Sequence, residues 1–351
     1  MRSATALPLV DSATLGGLLA PLVYIHTCAS MLQTLPLLSL FVAGLVVLYL
    51  GAEGTLRGAV SIAVQMGISR LVIGLTLVAF GTSCPELSLD ITAAVRGTTD
   101  LAFGDLIGSN IANVGLILGT AAIVRPLRVQ IRLLRAEVPI AIAASLVVLA
   151  VALDGTISRQ DGLFMSALFV LFIGYSYRAA AQESARIREE LKGAAEPQLS
   201  YGRGALYVVI GLVALVVGAQ LMIYSAVRIA ELLGVSTLII GLTVVAIGTS
   251  LPELATSIVA AQRNEADIIV GNVIGSNIFN LLLIMALVAV ICPVPVHAGS
   301  LRVELPVMII YVAALVPIML RGRVITRAEG AVLAAGYAAF LLWQVAMMAL
   351  T

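Results

Sequence analysis

One segment of this chain occurs twice. Residues 74–119 (GLTLVAFGTSCPELSLDITAAVRGTTDLAFGDLIGSNIANVGLILG) and 241–286 (GLTVVAIGTSLPELATSIVAAQRNEADIIVGNVIGSNIFNLLLIMA) align without gaps at an offset of 167 and agree at 25 of 46 positions. Each copy carries GTSxPEL followed by GxxIGSNIxN within an apolar run. Each therefore sets a carboxylate, a proline and several small polar side chains where apolar surroundings tolerate them least unless they have a use.

Those surroundings are a membrane. The 351 residues are 61% hydrophobic and 11% charged, with a mean hydropathy of +1.10. A soluble domain of this size needs far more charge to cover its surface. The long apolar runs predict an all-α polytopic membrane protein with ten transmembrane helices. They lie near 37–57, 69–96, 102–124, 136–153, 161–179, 205–229, 236–261, 267–291, 303–320 and 328–349.

The duplication extends beyond its strongest part. Gly51-Ala52 matches Gly218-Ala219, and Ile68-Ser69 matches Val235-Ser236, at the same offset. The unit is therefore five helices: 36–180 forms a first repeat and 205–351 a second, joined by a cytoplasmic linker at 181–204. The polar stretch 178–204 reads as a loop or short amphipathic helix. Residues 1–35 read as an N-terminal extension of uncertain structure, with an apolar run at 13–26 too short to span and Met31 as a candidate start.

An odd number of helices per unit turns the second copy upside down, giving two inverted repeats with broken helices at the centre. With the first span entering from outside, the inner loops carry 15 Lys and Arg residues and the outer side carries 5. That is the positive-inside bias of a multi-pass protein of a prokaryotic cell membrane with both core termini outside.

Glu86 and Glu253 each follow a proline inside an apolar helix. A carboxylate at the bilayer centre costs roughly 2.5–3.5 kcal/mol even on lenient scales. The bland alternative pairs each glutamate with a buried arginine, but Arg96 and Arg263 sit at the far ends of these spans. A bound cation is the better counter-charge. Pro85 and Pro252 leave the carbonyls of Gly81 and Gly248 without their usual donors and should free others near Thr82, Ser83, Thr249 and Ser250. Carbonyls, hydroxyls and a carboxylate together make a hard oxygen site suited to Ca²⁺ or Na⁺.

The next helix of each copy supplies Ser109 with Asn113, and Ser276 with Asn280. Four-residue spacing puts each pair on one helix face. Gly108 and Gly275 let a neighbouring helix approach closely or the helix bend. Small-residue packing with an interhelical amide bond is the bland reading of these residues. Asn110 and Asn277 point elsewhere and are expected to hold backbone or helix ends. Asp90, replaced by Ser257 in the other copy, either lines a pathway or is a solvated acid. Asp105 and Asn272 read as helix-start caps.

Other chemistries find little support. Cys28, Cys84 and Cys292 show no CxxC spacing, and His26 and His297 stand alone, so neither a disulfide framework nor a zinc or copper site is expected. GTSCPE and GTSLPE lack the lysine of a phosphate-binding loop, so a second ion rather than ATP should drive transport. A net charge of +1 gives no sign of a nucleic-acid partner. The chain reads as a non-enzyme without a cofactor. Its partners are Ca²⁺, Na⁺ and the lipid bilayer, with no obligatory protein partner inferred.

Paired GTSxPE and GSNIxN blocks over residues 37–349 resemble the cation/calcium exchanger superfamily, and within it the prokaryotic sodium/calcium exchanger family. The resemblance implies an antiporter exchanging Na⁺ for Ca²⁺ by alternating access. Glu86, Ser83, Thr82, Asn113 and Ser109 would come from one half, and Glu253, Ser250, Thr249, Asn280 and Ser276 from the other, around a central Ca²⁺ site flanked by Na⁺ sites. The first helices of the halves, 37–57 and 205–229, would slide to alternate access. Potassium-dependent relatives, and some prokaryotic ones, carry Asp where this chain has Asn280; Asn at both 113 and 280 resembles the potassium-independent animal exchangers, which leans away from K⁺ coupling. The linker is too short for the large Ca²⁺-sensing loop of animal relatives. A proton-coupled or K⁺-dependent cation antiporter is the alternative. A passive cation channel, the other class, would need a continuous pore, usually built from several subunits.

Overall fold

A computed structural model describes residues 12–190, 199–233 and 246–350. The fold is mostly helical. The main helices are α1 (Ser12–Met66), α2 (Arg70–Thr82), α3 (Cys84–Val95), α4 (Thr99–Val124), α5 (Leu133–Val151), α6 (Arg159–Glu190), α7 (Tyr201–Leu232), α8 (Leu251–Gln262), α9 (Ala266–Ile291), α10 (Ala298–Leu320) and α11 (Arg327–Leu350). Among the described residues, eight helices are long and apolar enough to cross a membrane, or nine if the bent pair α2 and α3 is one span. The expected span 236–261 is only partly covered, because 234–245 lie outside the described residues.

Two helices run past the expected spans. α1 is continuous from Ser12, so part of the extension is helical. Of the two readings of the polar stretch after 178, the helical one holds at its start, since α6 carries on to Glu190. The segment RAAAQESARIREE is rich in good helix formers, which explains the continuation.

Depth in the bundle follows composition. About three quarters of the most apolar stretch of α4 and α9 is buried (72% and 78%), against 17–33% for the outer spans. These two helices form the centre, and the others expose Leu, Val and Phe side chains on their outer faces. The turns α3–α4 and α8–α9 sit at the same repeat position and need the same left-handed residue. Gly97 supplies it in one (φ 75°) and Asn264 in the other (φ 63°), the two residue types that adopt this region most readily.

The interface of α1 with α7 is lined by glycine at seven-residue intervals on both helices. A Cβ on Gly44 would lie 3.0 Å from the Gly218 carbonyl oxygen, one on Gly51 2.8 Å from that of Gly211, and one on Gly58 2.5 Å from that of Gly204. Residue numbers rise on one helix as they fall on the other, so the two run antiparallel with their backbones in contact.

Four two-residue strands tie loops together. β1 (Leu127–Arg128) pairs with β4 (Val324–Ile325), and β2 (Thr156–Ile157) with β3 (Val294–Pro295), both antiparallel. Ion pairs cluster at the bundle ends: Arg70 with Glu265 at 2.8 Å, Arg57 with Glu53 at 2.7 Å, and Arg263 with Glu53.

Candidate functional site

Each GTSxPE block builds a helix break. At Ser83 the backbone takes φ −83°, ψ 7°, and at Ser250 φ −85°, ψ 6°. α3 and α8 then start afresh with Pro85 and Pro252 in their first turns, where a missing N–H is harmless. The axis bends by 46° between α2 and α3. Glu86 and Glu253 fall in the first turns of the new helices, whose exposed N–H dipoles favour negative charge. The break thus offsets part of the penalty of burying each carboxylate. The expectation of free carbonyls at both serines fails. The oxygens of Ser83 and Ser250 accept from the N–H of Leu87 and Leu254, each at 3.0 Å, because the new helix captures them as its first acceptors.

On the central helices, Asn113 and Asn280 each open a π-helical turn, Asn113–Leu118 and Asn280–Ile284. Such bulges cluster at functional positions because they shift the side-chain register within a helix. The glycines beside the serines behave differently from each other. A Cβ on Gly275 would lie 2.6 Å from the Leu75 carbonyl oxygen, so the close approach is real there. Gly108 faces open space.

All ten candidate ligands are buried: Thr82, Ser83, Glu86, Ser109 and Asn113 from the first copy, Thr249, Ser250, Glu253, Ser276 and Asn280 from the second. Contacts interleave the copies. Ser83 Oγ donates to Glu253 Oε1 at 3.1 Å. Thr82 Oγ1 meets Asn272 Oδ1 at 3.2 Å, and Thr249 Oγ1 donates to Asp105 Oδ1 at 3.3 Å, the same contact 167 positions on. Asn113 Nδ2 donates to Asn277 Oδ1 at 2.9 Å, and Asn277 Nδ2 to the Asn110 carbonyl at 3.3 Å. Asp90 follows Glu86 by one turn on the same face of α3. No arginine or lysine among the described residues pairs with either glutamate.

The site is rich in polar atoms without partners. Glu86 Oε2, Glu253 Oε2, Ser250 Oγ, Ser276 Oγ, Asn113 Oδ1 and both amide atoms of Asn280 are buried with no hydrogen bond among the described residues. Native interiors leave few such groups, so a concentration of them calls for an explanation, and a ligand is one. Among the described residues no three His, Cys, Asp or Glu side chains converge as a metal cluster. A cation here would be held by a mixture of carboxylate, hydroxyl and amide oxygens, which suits hard cations rather than zinc.

One expectation needs correction, and the structure narrows two others. Asp105 and Asn272 are not caps: Thr98 and Glu265 occupy the N-cap positions, and the acid and amide lie a full two turns inside, bonded to the threonines of the opposite copy. Asp90 is not solvated but fully buried. Asn110 and Asn277 both hold backbone, donating to the carbonyls of Leu106 at 2.6 Å and Asn110 at 3.3 Å, but Asn277 also accepts from a candidate ligand, Asn113. The signal that could have found these contacts is the repeat itself, since Asp105 and Asn272, and Asn110 and Asn277, are equivalent positions.

A cavity of about 340 Å³ opens beside Asp100, His297 and Glu304 and reaches Asp105 and Gly108. At its mouth Asp100 and His297 approach to 3.6 Å.

A multi-pass helical protein with two broken helices, buried carboxylates and unpartnered oxygens at its centre has the build of an ion transporter. The sequence profile described as sodium/calcium exchanger protein matches residues 36–178 and 203–346, so the chain belongs to the sodium/calcium exchanger family. The sodium/calcium exchanger MaX1 of Methanosarcina acetivorans is 32% identical over 339 residues, covering 85% of this chain and 95% of that protein. Inner membrane protein YrbG of Escherichia coli is 38% identical over 259 residues, 73% and 80% of the two chains. A solved structure of the sodium-calcium exchanger NCX_Mj, soaked with Na⁺ and Ca²⁺, superposes with a TM-score of 0.75 at 31% identity, covering 86% of this chain and 96% of that one.

Proposed function

We propose that this protein is a secondary antiporter in which Na⁺ entry drives Ca²⁺ export by alternating access to one central cage. The ligands are Glu86, Ser83, Thr82, Ser109 and Asn113 from the first copy, and Glu253, Ser250, Thr249, Ser276 and Asn280 from the second. The observation that carries the proposal is the contact of Ser83 with Glu253 across the two copies, beside carboxylate oxygens that have no other partner. Two glutamates neutralise one Ca²⁺ or two Na⁺, so both ions compete for the same oxygens. The empty cage carries uncompensated negative charge and resists crossing the bilayer unloaded, which couples the fluxes.

The same reading takes the bundle as ten helices in two inverted five-helix repeats, 36–180 and 205–351, with residues 1–35 as an extension and a cytoplasmic linker at 181–204. Both core termini lie outside, in a prokaryotic cell membrane. Strand pairing supports inversion. β1 and β3 are equivalent loops of the two copies, yet β1 pairs with β4 and β3 with β2. Equivalent loops lie at opposite ends of the bundle when one copy is upside down. The antiparallel glycine contact of α1 with α7 is supported by the same logic and offers a smooth surface for those helices to slide.

Proteoliposomes with an outward Na⁺ gradient are expected to take up radioactive calcium, and E86Q or E253Q to abolish that uptake while the protein still assembles. Uptake that ignores Na⁺ and follows a pH gradient would replace this reading with proton coupling. Single-channel steps in a planar bilayer would replace it with conduction.

A further inference from the structure

Asp90 and Asp105 are not among the cage ligands drawn above, although Asp105 accepts from one of them, Thr249, and the second copy shows that the fold does not need either carboxylate. Their equivalents 167 positions on are Ser257 and Asn272. α3 and α4 form a helical hairpin turning at 96–98, and Asp90 and Asp105 lie equally far from the turn, at the same depth. Glu86 and Ser109 form the next such pair, one turn deeper. At 1.5 Å per residue, the aspartates therefore sit about 6 Å from the cage level, on the side of the turn.

Asp90 is fully buried, and neither of its carboxylate oxygens has a hydrogen-bond partner among the described residues. Asp105 Oδ1 accepts from Thr249, while its Oδ2 is buried and unpartnered. Asp90 lies four residues from Glu86 on α3 and Asp105 four residues from Ser109 on α4, so each aspartate shares a helix face with a cage ligand. A purely structural carboxylate would be expected to collect donors, and Asp90 has none. Asp105 also forms the inner wall of the cavity that opens at Asp100, His297 and Glu304. Asp105 thus stands between an opening beside Asp100 and Glu304 and the glutamate cage, while Asp90 is buried outside the cavity lining.

We propose that Asp90 and Asp105 form a second divalent-cation site, in series with the central cage and loaded from the cavity. Two carboxylates neutralise one divalent ion, and water entering from the cavity completes a hard oxygen shell. Two divalent ions one helical turn apart repel each other strongly, so the two sites are filled alternately: the aspartate site captures the ion and hands it inward. The proposal rests on the cage reading for its transport role but not for its binding chemistry.

The test measures radioactive calcium binding to the full-length purified chain in sodium-free buffer. With the cage disarmed in E86Q/E253Q, about one Ca²⁺ per chain is expected to remain bound, and adding D90S and D105N, the residue types of the second copy, is expected to abolish it. D90N/D105N in the same background keeps side-chain shape and should give the same loss, which separates lost charge from misfolding. In vesicles, D90S/D105N alone should raise half-saturating calcium on the order of tenfold from the cavity face and leave it unchanged from the opposite face. Absence of calcium binding in E86Q/E253Q, binding that survives loss of both aspartates, or an equal change at both faces overturns the second site. Wild-type transport by E86Q/E253Q would instead overturn the central cage, while the binding measurement on the aspartates would still decide their role.

Discussion

The α1–α7 interface gives a sharp test because two of its glycines differ only in the space around them. A Cβ at Gly211 would lie 2.4 Å from the backbone nitrogen and the Oγ1 of Thr55, and 2.7 Å from the Gly51 carbonyl oxygen. A Cβ at Gly54 would meet nothing closer than 3.5 Å, an ordinary contact. Gly→Ala within a helix favours the folded state by roughly 0.5–1 kcal/mol at either position. That gain cancels in the comparison, leaving the collision alone. Relieving it means moving two backbones apart by about 1 Å, which forfeits a quarter to a half of the dispersion energy of each contact pair along the seam. Overpacking of this kind costs about 1–3 kcal/mol. Gly211→Ala should therefore unfold at a lower temperature than wild type in detergent micelles, and Gly54→Ala at the same or a higher one. Equal shifts for the two variants would refute the claim that direct backbone contact holds these helices together.

Other perturbations separate the parts of the site. Asn280→Asp adds a carboxylate where neither amide atom has a partner, so calcium affinity should rise on the order of tenfold and turnover should fall; the K⁺ dependence of flux then shows whether this position selects the ion. Ser83→Ala removes a hydrogen bond to a charged group, worth about 1.5–3 kcal/mol, whereas Ser250→Ala removes a hydroxyl with no partner. Without ions, thermal unfolding of Ser83→Ala should therefore shift further than that of Ser250→Ala. At the bundle end, burial pushes the Glu265 carboxyl above its usual range, with the Arg70 ion pair opposing the shift. A raised folded-state pKa means the native state holds the proton more tightly, so this group's contribution to stability is full below about 4.5 and is lost as pH rises through the folded value. Glu265→Gln should flatten that part of the stability–pH profile, measured by thermal unfolding between pH 4 and neutrality.

The sequence makes some of this architecture legible and hides the rest for physical reasons. Span positions follow from hydropathy, because every lipid-facing segment must be long and apolar. The helix breaks follow from Pro85 and Pro252, whose missing donors force a fresh start at the preceding serine in both copies. What the residues could not disclose was depth. Asp105 and Asn272 look like caps when a helix is taken to begin near them, yet α4 begins at Thr99 and α9 at Ala266, which carries both side chains two turns inward to the opposite threonines. The π turns at Asn113 and Asn280 are similarly invisible, because a one-residue register shift leaves no mark in hydropathy.

The departures from two-fold symmetry are as informative as the repeat. Asn113 reaches Asn277, whereas the equivalent Asn280 has no partner for either amide atom. Ser83 holds Glu253, whereas Ser250 holds nothing. A duplicated chain with identical surroundings in each half would make both contacts or neither. On the alternating-access reading proposed above, the halves occupy different positions relative to the shared centre, as in a carrier open to one side. If that is the origin of the asymmetry, trapping the chain open to the other face should exchange the pattern, with Ser250 on Glu86 and Asn280 on Asn110. Cross-linking cysteine pairs introduced beside each contact, in ions that favour opposite faces, would detect the exchange; a pattern fixed under both conditions would make the asymmetry a property of the sequence rather than of the transport state.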